Sequence, residues 1–150
     1  MMKLQKISNT AWLRVSAVVA FLGFLDSAFL TVKHYVGGTL PCLTSGSCEV
    51  VTTSTYSMIY GVPVALLGAL YYIAMFVLIL VYLDSGKEAV LRLSRWLVRI
   101  GLVMTIWFVF VQIFILHAIC LYCMGSALST TILFILSVHI QRSQKLSIVQ

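Results

Sequence analysis

Charge is what this sequence has least of. Only 9% of its 150 residues are Asp, Glu, Lys or Arg, while 61% are hydrophobic. A water-soluble domain is nearer a quarter charged and half apolar. Too few polar groups remain to cover a soluble globule, so that class is excluded, and intrinsic disorder with it. Four acids stand against ten cations, a net charge of +6. Amid so much apolar sequence the cations read as topology signals and not as a nucleic-acid footprint. Also missing are an internal repeat, a low-complexity tract, a phosphate-cradling glycine loop and a soluble catalytic triad. What is left is an all-α integral membrane protein, one domain over 1–150, whose four cysteines carry its chemistry.

A helix needs about 20 largely apolar residues to cross roughly 30 Å of hydrocarbon. The first apolar run, Ala11 to Val36, is interrupted by Arg14, Asp26 and Lys33; the second, Val62 to Leu83, holds no charge. The third, Trp96 to Val138, contains Arg99 and no acid. At about 1.5 Å per residue it is too long for one crossing, and it divides at a turn near His117. The spacing predicts a four-transmembrane-helix bundle, with helices at about 11–35, 62–83, 97–116 and 118–139 and an outer loop over 36–61. The first run is too long for a cleaved signal peptide, and no small-x-small site with a soluble domain follows it.

Lys3, Lys6, Arg14, Lys87, Arg92, Arg95, Arg99, Arg142 and Lys145 fall on one side of these spans, leaving Lys33 as the exception. Cations mark the cytoplasmic side, so both termini are expected to be cytoplasmic. Cys42 and Cys48 then lie in the outer loop, and Cys120 and Cys123 lie at the outer end of the fourth helix. Both pairs meet the oxidising compartment, where disulfides form and persist.

The pairs differ. Cys42 and Cys48 are joined by the polar linker Leu43-Thr44-Ser45-Gly46-Ser47, which can close a disulfide or release a thiol to a partner. Cys120-Leu121-Tyr122-Cys123 is a CxxC motif, and its first sulfur gains from the positive end of a helix dipole. His117, three residues earlier, is either an electrostatic aid or a solvated turn residue. Thiol–disulfide exchange runs by thiolate attack through mixed disulfides, so the two pairs can pass two electrons in series. In a bilayer the natural acceptor is a quinone.

The order of motifs carries a resemblance. Pro41-Cys42, Cys48-Glu49-x-Val51, Thr53-Ser54-x-Tyr56, Tyr60-Gly61-Val62-Pro63, Gly68 and Cys120-x-x-Cys123 together resemble the vitamin K epoxide reductase family. The unrelated quinone-linked DsbB proteins also have four helices and two cysteine pairs, but with the CxxC in the first outer loop. The resemblance implies a bundle whose outer loop caps a quinone pocket. It makes Cys42 and Cys48 the shuttle pair, Cys42 facing the partner and Cys48 attacking the second disulfide. Cys120 becomes the receiver of that attack and Cys123 the sulfur that reduces quinone. Ser54 matches a hydroxyl on the pocket cap, and its plain reading is a turn hydroxyl. Ser57, Tyr60 and Met124 complete the expected pocket, Tyr60 also reading as an interface aromatic and Met124 as core.

Animal members have Asn at the position of Ser57 and Tyr at that of Ala127, where those side chains assist vitamin K recognition. The resemblance therefore favours a general quinone-reducing thiol oxidase, with ubiquinone or menaquinone as acceptor, over an epoxide reductase. Many bacterial members carry a fused thioredoxin-like domain, which this sequence lacks. A separate extracytoplasmic, DsbA-type donor and a bacterial inner-membrane location are expected. The rival reading is a soft-metal carrier passing Cu, Hg or Zn between thiolates; a third is two purely structural disulfides.

Asp26 is costly inside a membrane and is a functional hypothesis by default. It reads either as a proton supply for reduced quinone or as a structural contact, with Lys33 seven residues on. Ser16, Ala20, Gly23 and Ser27 on the first helix, and Ala65, Gly68 and Ala69 on the second, are small residues that let helices approach closely. Trp12 and Trp96 read as interface aromatics.

Overall fold

The computed structural model describes the backbone of residues 2–37 and 47–148, with side chains over 10–37 and 48–144. Cys42 falls outside the described residues. The described chain forms α1 (Met2–Val36), a short α2 (Ser47–Thr53) and a single 3-10 turn (Thr55–Ser57). A two-stranded ribbon of β1 (Met58–Ile59) and β2 (Val62–Pro63) follows, antiparallel, with Met58 opposite Pro63. Then come α3 (Val64–Ser85), α4 (Glu88–Phe110) with a wide π turn (Val111–Ile115), and α5 (Leu121–Ile148).

Stretches within four helices, Thr10–Val36, Val64–Ser85, Glu88–Ile115 and Leu121–Gln144, are long and apolar enough to cross a membrane. Their outward residues, among them Leu22, Val32, Val103, Ile106 and Leu128, are large, apolar and exposed, as a lipid-facing surface requires. Inward, one core cluster joins Leu13, Ala17 and Ala20 of α1 to Tyr72, Met75 and Ile79 of α3. Leu91 and Val98 of α4 and Leu133 and Ile140 of α5 complete it. Early residues of α1 and α4 thus meet late residues of α3 and α5, which is an up–down–up–down bundle.

The helix bounds differ from the hydropathy reading for physical reasons. α3 begins two residues late because Val62 and Pro63 are spent in the ribbon. It ends at Gly86, whose left-handed φ of 63° lets its N–H reach the Tyr82 carbonyl, the usual glycine C-cap. Glu88 then opens α4 nine residues before the predicted start. Leu91, Ser94 and Val98 are buried while Arg92 and Arg99 face outward. That 3.6-residue periodicity continues a helix through charged sequence that an apolar-run count discards. α5 starts three residues late because the turn takes four residues, 117–120.

Close approach of the helices relies on small residues. Ser16, Ala20, Gly23 and Ser27 are all buried on α1. A Cβ at Gly23 would lie 2.5 Å from the Tyr72 ring, so only glycine admits that ring to α1.

Candidate redox site and its cavity

The end of the bundle opposite the core cluster is hollow. A cavity of about 320 Å³ is walled by all four long helices and roofed by α2, the 3-10 turn and the ribbon. That volume lies within the range of small-molecule sites, about 300–1,000 Å³. Its wall is chiefly apolar, with Leu30, Ile59, Ile100, Met104 and Phe108 among the lining residues.

Cys48 sits on the first turn of α2 with 1% of its surface exposed, and Cys120 with none. The two share one buried cluster with Val51, against which Leu116, Ala118, Tyr122 and Cys123 pack. Cys48 is held in a disulfide, whereas Cys120 and Cys123 are free thiols. Cys123, and not Cys120, lines the cavity.

Local chain geometry fixes the CxxC. At the π turn the Leu116 N–H reaches back five residues to the Val111 carbonyl, at 2.9 Å. The Ala118 N–H meets the Gln112 carbonyl at 3.1 Å, and His117 reverses the chain with φ at 48°. The buried Gln112 side chain accepts the Cys120 N–H on Oε1 at 3.0 Å. Cys120 then stands as the N-cap of α5: its carbonyl takes the Met124 N–H at 3.0 Å, and its Sγ takes the Cys123 N–H at 3.4 Å. A sulfur here satisfies an amide that a helix start leaves without a partner.

The electrostatic consequence is direct. A hydrogen bond from the Cys123 thiol, with help from the backbone N–H groups of Cys123 and Tyr122, brings the Cys120 thiol down to about 7. Burial and the nearby Asp26 carboxylate oppose this without prevailing. In the reduced pair the readily ionised sulfur is thus the one beside Cys48.

Ser54 and Ser57 both line the cavity, but their protons are committed. Ser54 donates to the Val51 carbonyl at 2.8 Å and Ser57 to that of Ser54 at 2.7 Å. They hold the cap in shape and offer a ligand only acceptor lone pairs. Tyr60 is fully exposed and outside the cavity wall, because its left-handed φ of 51° at the ribbon turn points the ring away. Met124 is half-buried and also outside the wall. His117 is exposed on the turn. Lys33 lies over the Phe29 ring, 6.0 Å from its centroid, and Asp26 Oδ2 is buried without a hydrogen-bond partner among the described residues.

Other lining residues were not anticipated from sequence. Tyr72 joins its hydroxyl to Ser126 Oγ at 2.9 Å, to the Ser126 carbonyl at 2.6 Å and to Thr130 Oγ1 at 2.8 Å, and all three residues line the cavity. Cys123, Ser126 and Thr130 are spaced i, i+3, i+7, one helical face, which was the available signal. Gln112 is the lone amide in the run from Trp96 to Val138, another such signal. Ala127, where animal relatives carry Tyr, lines the cavity too.

A sequence model of the vitamin K epoxide reductase family matches residues 14–138. The chain belongs to the vitamin K epoxide reductase family. It is accordingly a multi-pass membrane oxidoreductase acting on disulfides, and proteins of this family use quinones and work with thioredoxin-like partners. Membership of this oxidoreductase family does not favour a soft-metal carrier.

Proposed function

We propose that this vitamin K epoxide reductase family member is a quinone-dependent protein-disulfide oxidoreductase. It takes two electrons from a DsbA-type thioredoxin-like protein at Cys42 and Cys48 and passes them to Cys120 and Cys123. The cysteine end faces the extracytoplasmic side of a bacterial inner membrane, the cation-rich end faces the cytoplasm, and the product is a recharged oxidant for secreted proteins. The observation that carries this reading is the shared burial of Cys48 and Cys120 at a cavity that Cys123 lines.

Each step balances. Cys48, once reduced by the partner, attacks Sγ of Cys120 and expels Cys123 as thiolate. Cys42 then resolves the mixed disulfide by attacking Cys48, which leaves the loop pair oxidised and the CxxC reduced. A bound quinone, ubiquinone or menaquinone, supplies the two-electron acceptor. Cys120 and Cys123 give up two electrons as they close their disulfide. Size and apolarity of the cavity suit a quinone headgroup, and Gln112, Ser126 and Thr130 supply polar atoms on its wall.

Anaerobic mixing of the reduced full-length protein with ubiquinone and menaquinone analogues, followed by quinone absorbance, tests this. Wild-type protein reduced at all four cysteines should form two quinols per chain, the second fed by the loop pair, and Cys123→Ser none. Full quinone-reducing activity in Cys123→Ser would disprove the mechanism.

A further inference from the structure

Of the four acids in the chain, Asp26 is the one held inside a membrane-spanning helix among sulfur and hydroxyl groups. Its position follows from its neighbours along one face of α1. One turn earlier, Gly23 abuts the Tyr72 ring. One turn later, the Phe29 ring packs on Tyr122 at 5.4 Å, within the CxxC itself. Residues three apart share a helix face, so Asp26 stands between Tyr72 and the CxxC turn.

Its charge reaches Tyr72 of α3, Cys120 at the N-cap of α5 and Cys123 in the first turn of α5. On its own helix Lys33 is turned over Phe29, and His34 lines the cavity. Yet among the described residues Asp26 Oδ2 finds no hydrogen-bond partner. A carboxyl oxygen buried without a partner is destabilising.

We propose that Asp26 stores the proton released by the CxxC pair and returns it, through the Tyr72–Ser126–Thr130 hydroxyl cluster, to the acceptor in the cavity. The inference rests on the quinone reading above and adds its proton branch. Forming a quinol takes two electrons and two protons. Near neutral pH the reduced pair carries one S–H and, in part, one thiolate, because Cys120 ionises at about 7. In the ionised fraction the sulfurs supply two electrons but only one proton.

Asp26 supplies the second. When the loop dithiol reduces the CxxC disulfide, its two S–H bonds break, and one proton passes to the Cys123 sulfur and one to the Asp26 carboxylate. When the CxxC disulfide closes, the Cys123 proton and the Asp26 proton both go to the acceptor's oxygens. The cycle therefore draws no proton from the hydrocarbon side. Asp26 acts through the hydroxyl cluster and is a positioning residue for protons, not a group in contact with the acceptor.

The test uses the full chain with Asp26→Asn and Asp26→Glu, dithiothreitol as donor and a short-chain ubiquinone analogue as acceptor. Asp26→Asn should lower kcat about 100-fold, the scale of a lost proton-transfer group, with KM unchanged, and Asp26→Glu should restore most of it. A second readout omits quinone: reducing the CxxC with dithiothreitol beside a pH indicator dye. Asp26→Asn should release more protons to solvent per reduced pair than wild type. Unchanged kcat together with unchanged proton release in Asp26→Asn would overturn the relay alone. Equal losses in kcat and in affinity that Glu does not rescue would also overturn it, marking a packing defect. A wild-type protein that fails to reduce the quinone would overturn the underlying reading and the relay with it.

Discussion

The two halves of this bundle use the same four helices in opposite ways. At the cation-rich end, Leu13, Ala17 and Ala20 interlock with Met75, Ile79, Leu91, Val98 and Leu133. A gap there measures about 20 Å³, room for about one water molecule. At the cysteine end the helices splay around about 320 Å³. One end is filled by side chains from within; the other leaves room for something from outside. The packed half supplies the rigidity that lets the hollow half stay open, because a tightly filled core resists collapse.

Adding volume to each half in turn breaks or sharpens that contrast. Ala20 is fully buried in the packed half, so Ala20→Leu should cost about 1–3 kcal/mol or more by overpacking, read as a lower unfolding temperature in detergent. Ala127→Phe, in the hollow half, should leave that temperature unchanged or raise it. It should instead raise the quinone KM about tenfold, the scale of a misfitted apolar group in a pocket. If both variants unfolded alike, the distinction between the halves would be lost.

A smaller effect is expected from Gln112→Leu. It leaves the buried Cys120 N–H without an acceptor, a cost of about 1–3 kcal/mol. By loosening the cap it should also move the Cys120 ionisation back up from about 7 towards its ordinary 9. Smallest is the pH effect itself. With a thiol value depressed on folding, the reduced protein should gain stability as pH rises from about 7 to 9 and lose it as pH falls through 7. Ultraviolet thiolate absorbance of the reduced protein, with Cys120→Ser as the blank, follows the ionisation; a half-point near the ordinary value would refute the capping role of the sulfur.

The span count, the meeting of Cys48 with Cys120 and Cys123 at one end and the small residues on α1 were legible in the sequence, since hydropathy and helical spacing report them without reference to neighbours. The start of α4 was not, because Lys87 to Arg95 reads as a polar link until its apolar face finds a partner. Ser54 and Ser57 were recognised as cavity residues, but sequence does not say where a hydroxyl proton points, and both point into the cap. Tyr60 misled because its backbone enters the left-handed region, which an aromatic residue seldom adopts. Gln112 and Tyr72 escaped notice because each acts through a residue far along the chain, Cys120 in one case and Thr130 in the other.

The wide turn at Val111–Ile115 gives α4 a property that composition does not express. Each residue advances an ordinary helix by about 100°, so the extra residue accommodated there puts everything after it out of phase with everything before. Removing a single residue from this stretch would restore a regular spiral and swing the Gln112 amide away from the Cys120 backbone that it anchors. The distance in letters from Glu88 to Cys120 is therefore itself a specification, as exacting for this protein as the identity of its sulfurs.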